Sequence, residues 1–237
     1  MNPRLPTVLM YHSVAKLADG PDPLCTSPER FEAQMLYLKR RNLRGVSVQE
    51  LRRELSAGSA RGLVGLTFDD GYEDFLHTAV PVLERLGFSA TVFVVAGMPG
   101  EENSWEHRGG PRPRLKLLET AGIREVSERG MEVGSHTMTH PRLSDLDPEA
   151  LIHEVSNSQR VIEEVVGKPV QGFCYPYGDL NAAAVRAVRE TGYAYACATK
   201  KRVERSIHDW PRTYVGEKDF PLRLGVKLTA HRLLTRS

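Results

Sequence analysis

Two adjacent carboxylates, Asp69 and Asp70, stand in the run Thr67-Phe68-Asp69-Asp70-Gly71. An apolar stretch precedes them, so they emerge where a strand ends. Neighbouring residues at a strand end point in different directions, which allows two carboxylates two roles. An Asp-Gly turn capping the next helix reads the same residues without chemistry. A second pattern is His136-Thr137-Met138-Thr139-His140. Histidines four apart share one face of a helical turn, and both rings can reach one metal ion. Two imidazoles and one carboxylate make a common hydrolytic zinc set with a position left open for water. Asp70 at one strand end and His136 and His140 at another would complete such a set, whereas unrelated surface histidines would not need each other. Two further clusters carry polar or aromatic groups. Phe173-Cys174-Tyr175-Pro176-Tyr177-Gly178 offers tyrosines, and His208-Asp209-Trp210-Pro211-Arg212 offers a carboxylate, an indole and a guanidinium. The tyrosines could line a groove and stack on sugar rings, or equally fill the core at a strand end. A sugar substrate would need exposed aromatics such as Trp105, Tyr177 and Trp210, with Asp209 and Arg212 as polar contacts, whereas residues 208–212 can also be read as a polar loop.

These residues need elements to hold them. Short β-branched runs are expected as strands at Thr7–Tyr11, Gly62–Phe68, Ala90–Val95, Met131–Gly134, Gly172–Tyr175 and Tyr193–Thr199, with shorter ones at Gly45–Val46 and Thr213–Val215. Helices fall between them. Ser27-Pro28 is an N-cap followed by proline, with Phe31, Met35 and Leu38 on one face. Ser47-Val48-Gln49-Glu50 is a capping box for a short helix. Asp74–Leu86 is stopped by Gly87, and Asp147-Pro148 opens a helix with Leu151, Val155 and Ile162 inward and Gly167 at its end. Residues 180–191 form a helix ended by Gly192. Strand–helix alternation predicts an α/β fold with a mostly parallel sheet, as a (β/α) barrel or as a flat doubly wound sheet. Residues 97–114 form the longest loop.

The chain has 237 residues, 41% hydrophobic and 26% charged, with net charge +2. That suits one domain spanning residues 1–237 and excludes wholesale disorder. Basic clusters at Lys39–Arg41 and Lys200–Arg202 are too short to argue for nucleic acid. Cys25, Cys174 and Cys197 are odd in number and form no CxxC pair, which speaks against a disulfide framework or a thiolate zinc site. No run approaches the roughly 18 apolar residues of a membrane span. Without a signal-peptide h-region at the N-terminus, a cytoplasmic location is expected, or an extracytoplasmic one if a leader has been removed.

The two motifs in this order make the chain resemble the NodB-homology polysaccharide deacetylases, carbohydrate esterase family 4. The likeness extends to Gly130-Met131-Glu132-Val133-Gly134-Ser135-His136, His140-Pro141-Arg142-Leu143, Asn103-Ser104-Trp105 and Gly192-Tyr193. It runs roughly from residue 6 to residue 228. The resemblance implies a distorted (β/α) barrel of about seven parallel strands. It implies Asp69 as general base and Asp70, His136 and His140 as ligands of one divalent ion. Zinc is expected from the ligand types, although cobalt, nickel and manganese also suit them. The implied reaction removes N-acetyl groups from an N-acetylglucosamine-type polysaccharide or oligosaccharide, with the backbone N–H near Tyr177 helping to hold the oxyanion.

Two departures stand out. Cys174 occupies the place of the family's arginine before Pro-Tyr, so the usual partner of the base is missing there. Tyr175-Pro176-Tyr177-Gly178 resembles instead the subgroup acting on poly-β-1,6-N-acetylglucosamine. The C-terminal Leu-x-His motif is also absent, the matching stretch reading Leu222-Arg223-Leu224. Leu9-Met10-Tyr11-His12 ends the first expected strand, and relatives with this opening look like circular permutations of the family. In a closed barrel first and last strands are neighbours. His12 is therefore expected as the general acid, its charged form favoured by a carboxylate such as Asp209. His208 and His231 are weaker candidates for this role. Rival readings are a hydrolase of another small amide or imide on the same fold and an inactive carbohydrate-binding domain. A basic amphipathic membrane contact at residues 223–236 is a further alternative to a packed terminal strand and helix.

Overall fold

A computed structural model describes residues 5–17, 22–105, 113–199, 202–204 and 206–234, the last four by backbone alone. Lys200, Lys201, Arg236 and the His231 side chain lie outside the described residues. Strands β1 (Val8–Tyr11), β2 (Arg44–Val46), β3 (Leu63–Phe68), β4 (Thr91–Val94), β5 (Glu132–Ser135), β6 (Gly172–Cys174), β7 (Tyr195–Ala198), β8 (Trp210–Pro211) and β9 (Thr213–Tyr214) form one sheet. Its order is β8-β7-β6-β5-β4-β3-β1-β9, with β2 also against β3. Every pairing is parallel. β8 and β9 are separated in the chain only by Arg212, yet one pairs with β7 and the other with β1. The segment Trp210–Tyr214 thus spans both edges and makes the sheet a nearly closed barrel, not a flat doubly wound sheet.

Side-chain alternation along the strands builds two apolar regions. Leu9, Tyr11, Leu66, Phe68, Val92, Val133, Phe173 and Ala196 pack outward. They meet Phe31, Met35 and Leu38 of α1 (Pro28–Arg40), Val80 and Leu83 of α3 (Val80–Leu86), Val155 and Ile162 of α5 (Pro148–Val166), and Val185 and Val188 of α6 (Ala182–Thr191). Val8, Val46, Phe93, Cys174, Tyr195, Cys197 and Trp210 form the smaller region, together with Val48 and Leu51 of α2 (Val48–Ser56). At the amino ends of the strands, buried Glu132 accepts hydrogen bonds from Gln49 N (2.9 Å), Thr91 Oγ1 (2.6 Å) and Tyr195 Oη (2.7 Å). An anion at a helix N-terminus is favourable, so Glu132 anchors α2 there.

The helix ends follow their signals. Ser27 and Asp147 cap α1 and α5, and Gly87, Gly167 and Gly192 end α3, α5 and α6 in left-handed conformation. The expected capping box at Ser47 forms only in part: Ser47 Oγ accepts from Glu50 N, but Ser89 Oγ stands between Ser47 N and Glu50 Oε2, 3.0 Å from each. The helix expected from Asp74 begins as a π turn over Phe75–Ala79 before α3. Pro81 has no N–H to continue an α ladder back to His77, which accounts for the wider turn. One helix was not expected, α4 (Thr120–Glu128), which had no cap signal in sequence, while the expected terminal helix is α7 (Pro221–Leu234). Leu224 and Leu228 of α7 are buried against the outer apolar region, which supports a packed terminal helix. Among the described residues no helix is long and apolar enough to cross a membrane.

Trp210 is not a groove residue. It is fully buried in the smaller apolar region, and its Nε1 donates to Pro6 O at 3.2 Å. Trp210→Ala should cost about 3–5 kcal/mol of stability in urea denaturation, as expected for a large buried aromatic. A loss below about 1 kcal/mol would contradict this packing.

Candidate active site

Because all strands run in parallel, their carboxyl ends share one face of the barrel, the usual location of barrel active sites. His12 follows β1, Asp69 and Asp70 follow β3, His136 follows β5, and Tyr177 lies just beyond β6. The turn after β3 is tight. Asp70 and Gly71 have φ of 74° and 78°, and a Cβ on Gly71 would lie 2.9 Å from Val94 Cγ1. Glycine there lets the two carboxylates turn across the barrel mouth.

Asp69 is 4% exposed and meets Arg212, which is 3% exposed. Arg212 donates Nη1 to Asp69 Oδ1 at 2.6 Å and Nη2 to Oδ2 at 2.7 Å. Its other donors reach Thr67 Oγ1 at 3.0 Å, Cys174 Sγ at 3.0 Å and Ala198 O at 3.1 Å. The five N–H groups of a guanidinium are therefore all used. Burial alone would raise the Asp69 carboxyl, but the charge and hydrogen bonds of Arg212 overcome it and hold the pKa below the usual range. Arg212 was expected as a substrate contact. Its burial and full set of partners make it instead the partner of Asp69. Cys174 on β6 touches the guanidinium through Sγ, and the guanidinium itself comes from the closing segment between β8 and β9.

Asp70 Oδ1 lies 3.3 Å from His136 Nε2 and 3.4 Å from His140 Nε2, and all three groups are buried. Bonds of about 2.0–2.1 Å to a tetrahedral ion put neighbouring donors about 3.3–3.4 Å apart, so this donor set fits a zinc-sized cation. His136 Nδ1 is 2.8 Å from Cys174 O. A carbonyl oxygen only accepts, so Nδ1 carries hydrogen toward it and the ring is fixed with Nε2 toward Asp70. Burial pulls His140 down to about 4, keeping it a neutral imidazole. Burial also opposes charge on His136, but Cys174 and Asp70 outweigh it and raise its pKa. Asp70 is held well below the ordinary carboxylate range, burial being overcome by its hydrogen bonds to His136 and His140.

The two histidines do not sit on a helical turn. Residues 136–140 form an irregular loop in which Thr137 and His140 have φ of 72° and 61°. The rings still converge, their centroids 4.9 Å apart. His140 is enclosed by aromatics: Trp105 stacks on it at 4.3 Å, and Tyr177 meets it edge-on at 4.6 Å. Tyr177 has φ of 59°, and the Arg142 guanidinium lies 4.2 Å from its ring centroid. Trp105 and Tyr177 thus stand at the site. His12 Nε2 is 3.9 Å from Asp69 Oδ2, one bridging water's reach, and its side chain is 12% exposed. Asp209 does not face His12. It is buried and accepts from Val203 N, Glu204 N and Ser206 N at 2.7–2.8 Å, so it caps its own turn and is not on a substrate groove. His208 is spent on Tyr193 O at 2.8 Å.

A residue that the sequence did not single out is Asp74. It accepts Ser13 Oγ and Val14 N, both at 2.7 Å, tying the chain just after His12 to the turn that carries Asp69 and Asp70. Its sequence signal was that of a helix start four residues after Asp70.

A family model described as polysaccharide deacetylase matches residues 57–196. The Bacillus subtilis (strain 168) protein YxkH is 27% identical over 195 residues, 81% of this chain and 64% of that protein. The chain therefore spans less than two thirds of that relative's length. A poly-beta-1,6-N-acetyl-D-glucosamine N-deacetylase of Staphylococcus aureus (strain MSSA476) is 23% identical over 199 residues, covering 82% of this chain and 69% of that protein. The Streptococcus pyogenes deacetylase PplD, solved in complex with acetate, superposes with a TM-score of 0.82 at 22% identity, covering 96% of this chain and 99% of that one. This last likeness speaks for the fold.

Removing the guanidinium tests the electrostatics of this site. With Arg212 present, Asp69 titrates below its unfolded value of about 3.9. Its contribution is then complete above that value and is lost as pH falls through the folded pKa. In Arg212→Met the largest influence that lowers the carboxyl is gone and burial raises it, so stability is lost as pH rises. The variant should be about 3–5 kcal/mol less stable at neutral pH, with the deficit shrinking toward pH 3 in urea denaturation. A deficit independent of pH would contradict the pairing.

Proposed function

The chain belongs to the polysaccharide deacetylase family, and on that premise we propose that it is a metal-dependent hydrolase that removes N-acetyl groups from an N-acetylglucosamine polymer or oligomer, releasing acetate and free amino sugar. The observation that carries this reading is the convergence of Asp70, His136 and His140 beside the Arg212-bound Asp69. Tyr175-Pro176-Tyr177-Gly178 and the Staphylococcus aureus relative support a poly-β-1,6-linked substrate.

Asp70, His136 and His140 would hold one divalent ion, zinc by ligand type. When bound, such an ion lowers the pKa of water and polarises a carbonyl oxygen. Asp69 takes the proton from the attacking water. Each carboxylate oxygen has two lone-pair sites, so the fork with Arg212 leaves acceptor capacity toward His12. A base held below the usual range is ionised throughout the neutral region, at some loss of basicity. As oxyanion charge develops on the acetyl oxygen, the Tyr177 backbone N–H helps to hold it. The left-handed backbone of Tyr177 beside His140 supports this role. His12 then gives a proton to the leaving amine, and its 3.9 Å approach to Asp69 supports this assignment. Trp105 and Tyr177 border the position of the sugar ring.

Acetate release from N-acetylglucosamine oligomers, measured with added zinc, cobalt, nickel or manganese and after chelation, tests the proposal. Turnover should depend on metal, and release only from small acetamides would favour the small-amide alternative. Asp69→Asn should retain metal and lose about 10²–10⁴-fold in kcat. His12→Ala should fall within the same range and lose the limb of the pH profile that reports the acid. Near wild-type turnover in either variant would remove that residue from the mechanism.

A further inference from the structure

The loop that carries the two histidines has an unusual supply of hydrogen bonds. His136 N donates to Val94 O at 2.8 Å, and within the loop Thr137 O and Met138 O accept from Ala96 N and Gly97 N, both at 2.9 Å. The next four N–H groups all go to side chains. Thr137 N reaches Ser135 Oγ at 3.2 Å, and His140 N reaches Thr137 Oγ1 at 3.0 Å. The middle two, Met138 N and Thr139 N, converge on Glu154 Oε2 at 2.8 and 3.0 Å. Thr139 Oγ1 donates to Glu154 Oε1 at 2.7 Å. Glu154 is 8% exposed, lies on α5, and has no salt-bridge partner among the described residues. A buried carboxylate is costly to keep unless its oxygens are satisfied. Here three donors of one loop satisfy them.

The conformation held this way is strained. Thr137 and His140 both have positive φ, a region that side-chain-bearing residues rarely adopt. An irregular loop relaxes unless its surroundings over-determine it. α5 is anchored through Val155 and Ile162 in the apolar core, and Ser158 Oγ also meets Ser135 Oγ at 2.7 Å. It is a rigid base from which a carboxylate can grip the loop.

We propose that Glu154 is a positioning residue for the metal centre: its three hydrogen bonds to Met138 and Thr139 hold the strained loop that keeps the His136 and His140 rings converged on Asp70. The inference rests on the metal reading above but concerns metal affinity, not turnover. Gln keeps every contact, because its carbonyl oxygen accepts both N–H groups and its amide donates to the Thr139 hydroxyl. Asp is one methylene too short, and Leu has no acceptor.

Co²⁺ affinity by competition with a chromogenic chelator, and the visible spectrum of the Co²⁺ form, are measured for wild type, Glu154→Gln, Glu154→Asp and Glu154→Leu. Circular dichroism and urea denaturation report folding. Glu132→Gln, at the opposite end of the barrel, is the control for loss of a buried carboxylate. Outer partners of metal ligands typically contribute about 10–100-fold to affinity. Asp and Leu variants should lose that much, with an altered Co²⁺ spectrum, while Glu154→Gln and Glu132→Gln stay within about threefold of wild type. If Glu154→Leu does not fold, Glu154→Asp against Glu154→Gln gives the same comparison. Wild-type affinity and spectrum in a folded Asp or Leu variant overturn the proposal, as does an equal loss in Gln and Asp. A wild-type chain that binds no Co²⁺ overturns the metal reading itself, a different result from either.

Discussion

The fork between Arg212 and Asp69 is the interaction on which the architecture turns. It is a buried ion pair in which every guanidinium N–H is used. Breaking such a pair leaves an uncompensated buried charge, which is far costlier than the pair is stabilising. Arg212 is also the residue between β8 and β9, which pair with opposite edges of the sheet. The same side chain therefore joins the closure of the barrel to the orientation of Asp69. Geometry at the mouth follows from this coupling: Asp69 is turned toward Arg212, which leaves its neighbour Asp70 to face the histidines.

Backbone strain is concentrated in the same place. Among the described residues five non-glycine residues have positive φ, and four of them, Asp70, Thr137, His140 and Tyr177, belong to the site. Such conformations persist where surrounding contacts over-determine them. Asp70 is fixed by the turn at Gly71, Thr137 and His140 by side chains that capture the loop amides, and Tyr177 by packing against His140 under Arg142. Carboxylates without salt-bridge partners among the described residues recur in this task. Asp74 grips the segment after His12, and Glu154 grips the histidine loop. Backbone N–H groups satisfy these anions locally, which leaves the arginine charge for Asp69.

Residue types and spacing determined a good deal. The eight expected strand positions are occupied, because β-branched runs bounded by glycine and proline have few other options. Caps at Ser27 and Asp147 and stops at Gly87, Gly167 and Gly192 act locally and were legible. Asp69, Asp70, His136 and His140 stood out because each pair is close in sequence. The ring convergence survived even though the expected helical turn is an irregular loop, since a four-residue separation limits how far two imidazoles can part. The tertiary structure alone decided the rest. Trp210 and Asp209 look like site residues in a polar, aromatic stretch, yet barrel closure turns the indole into the interior and makes the carboxylate a cap. Nothing in sequence separation links Asp69 to Arg212, 143 positions away, or Thr139 to Glu154 on the far side of a turn. Local preferences reach only a few residues along the chain. Which side chain crosses the barrel to meet which is set by strand order and closure, and these exist only once the sheet has formed.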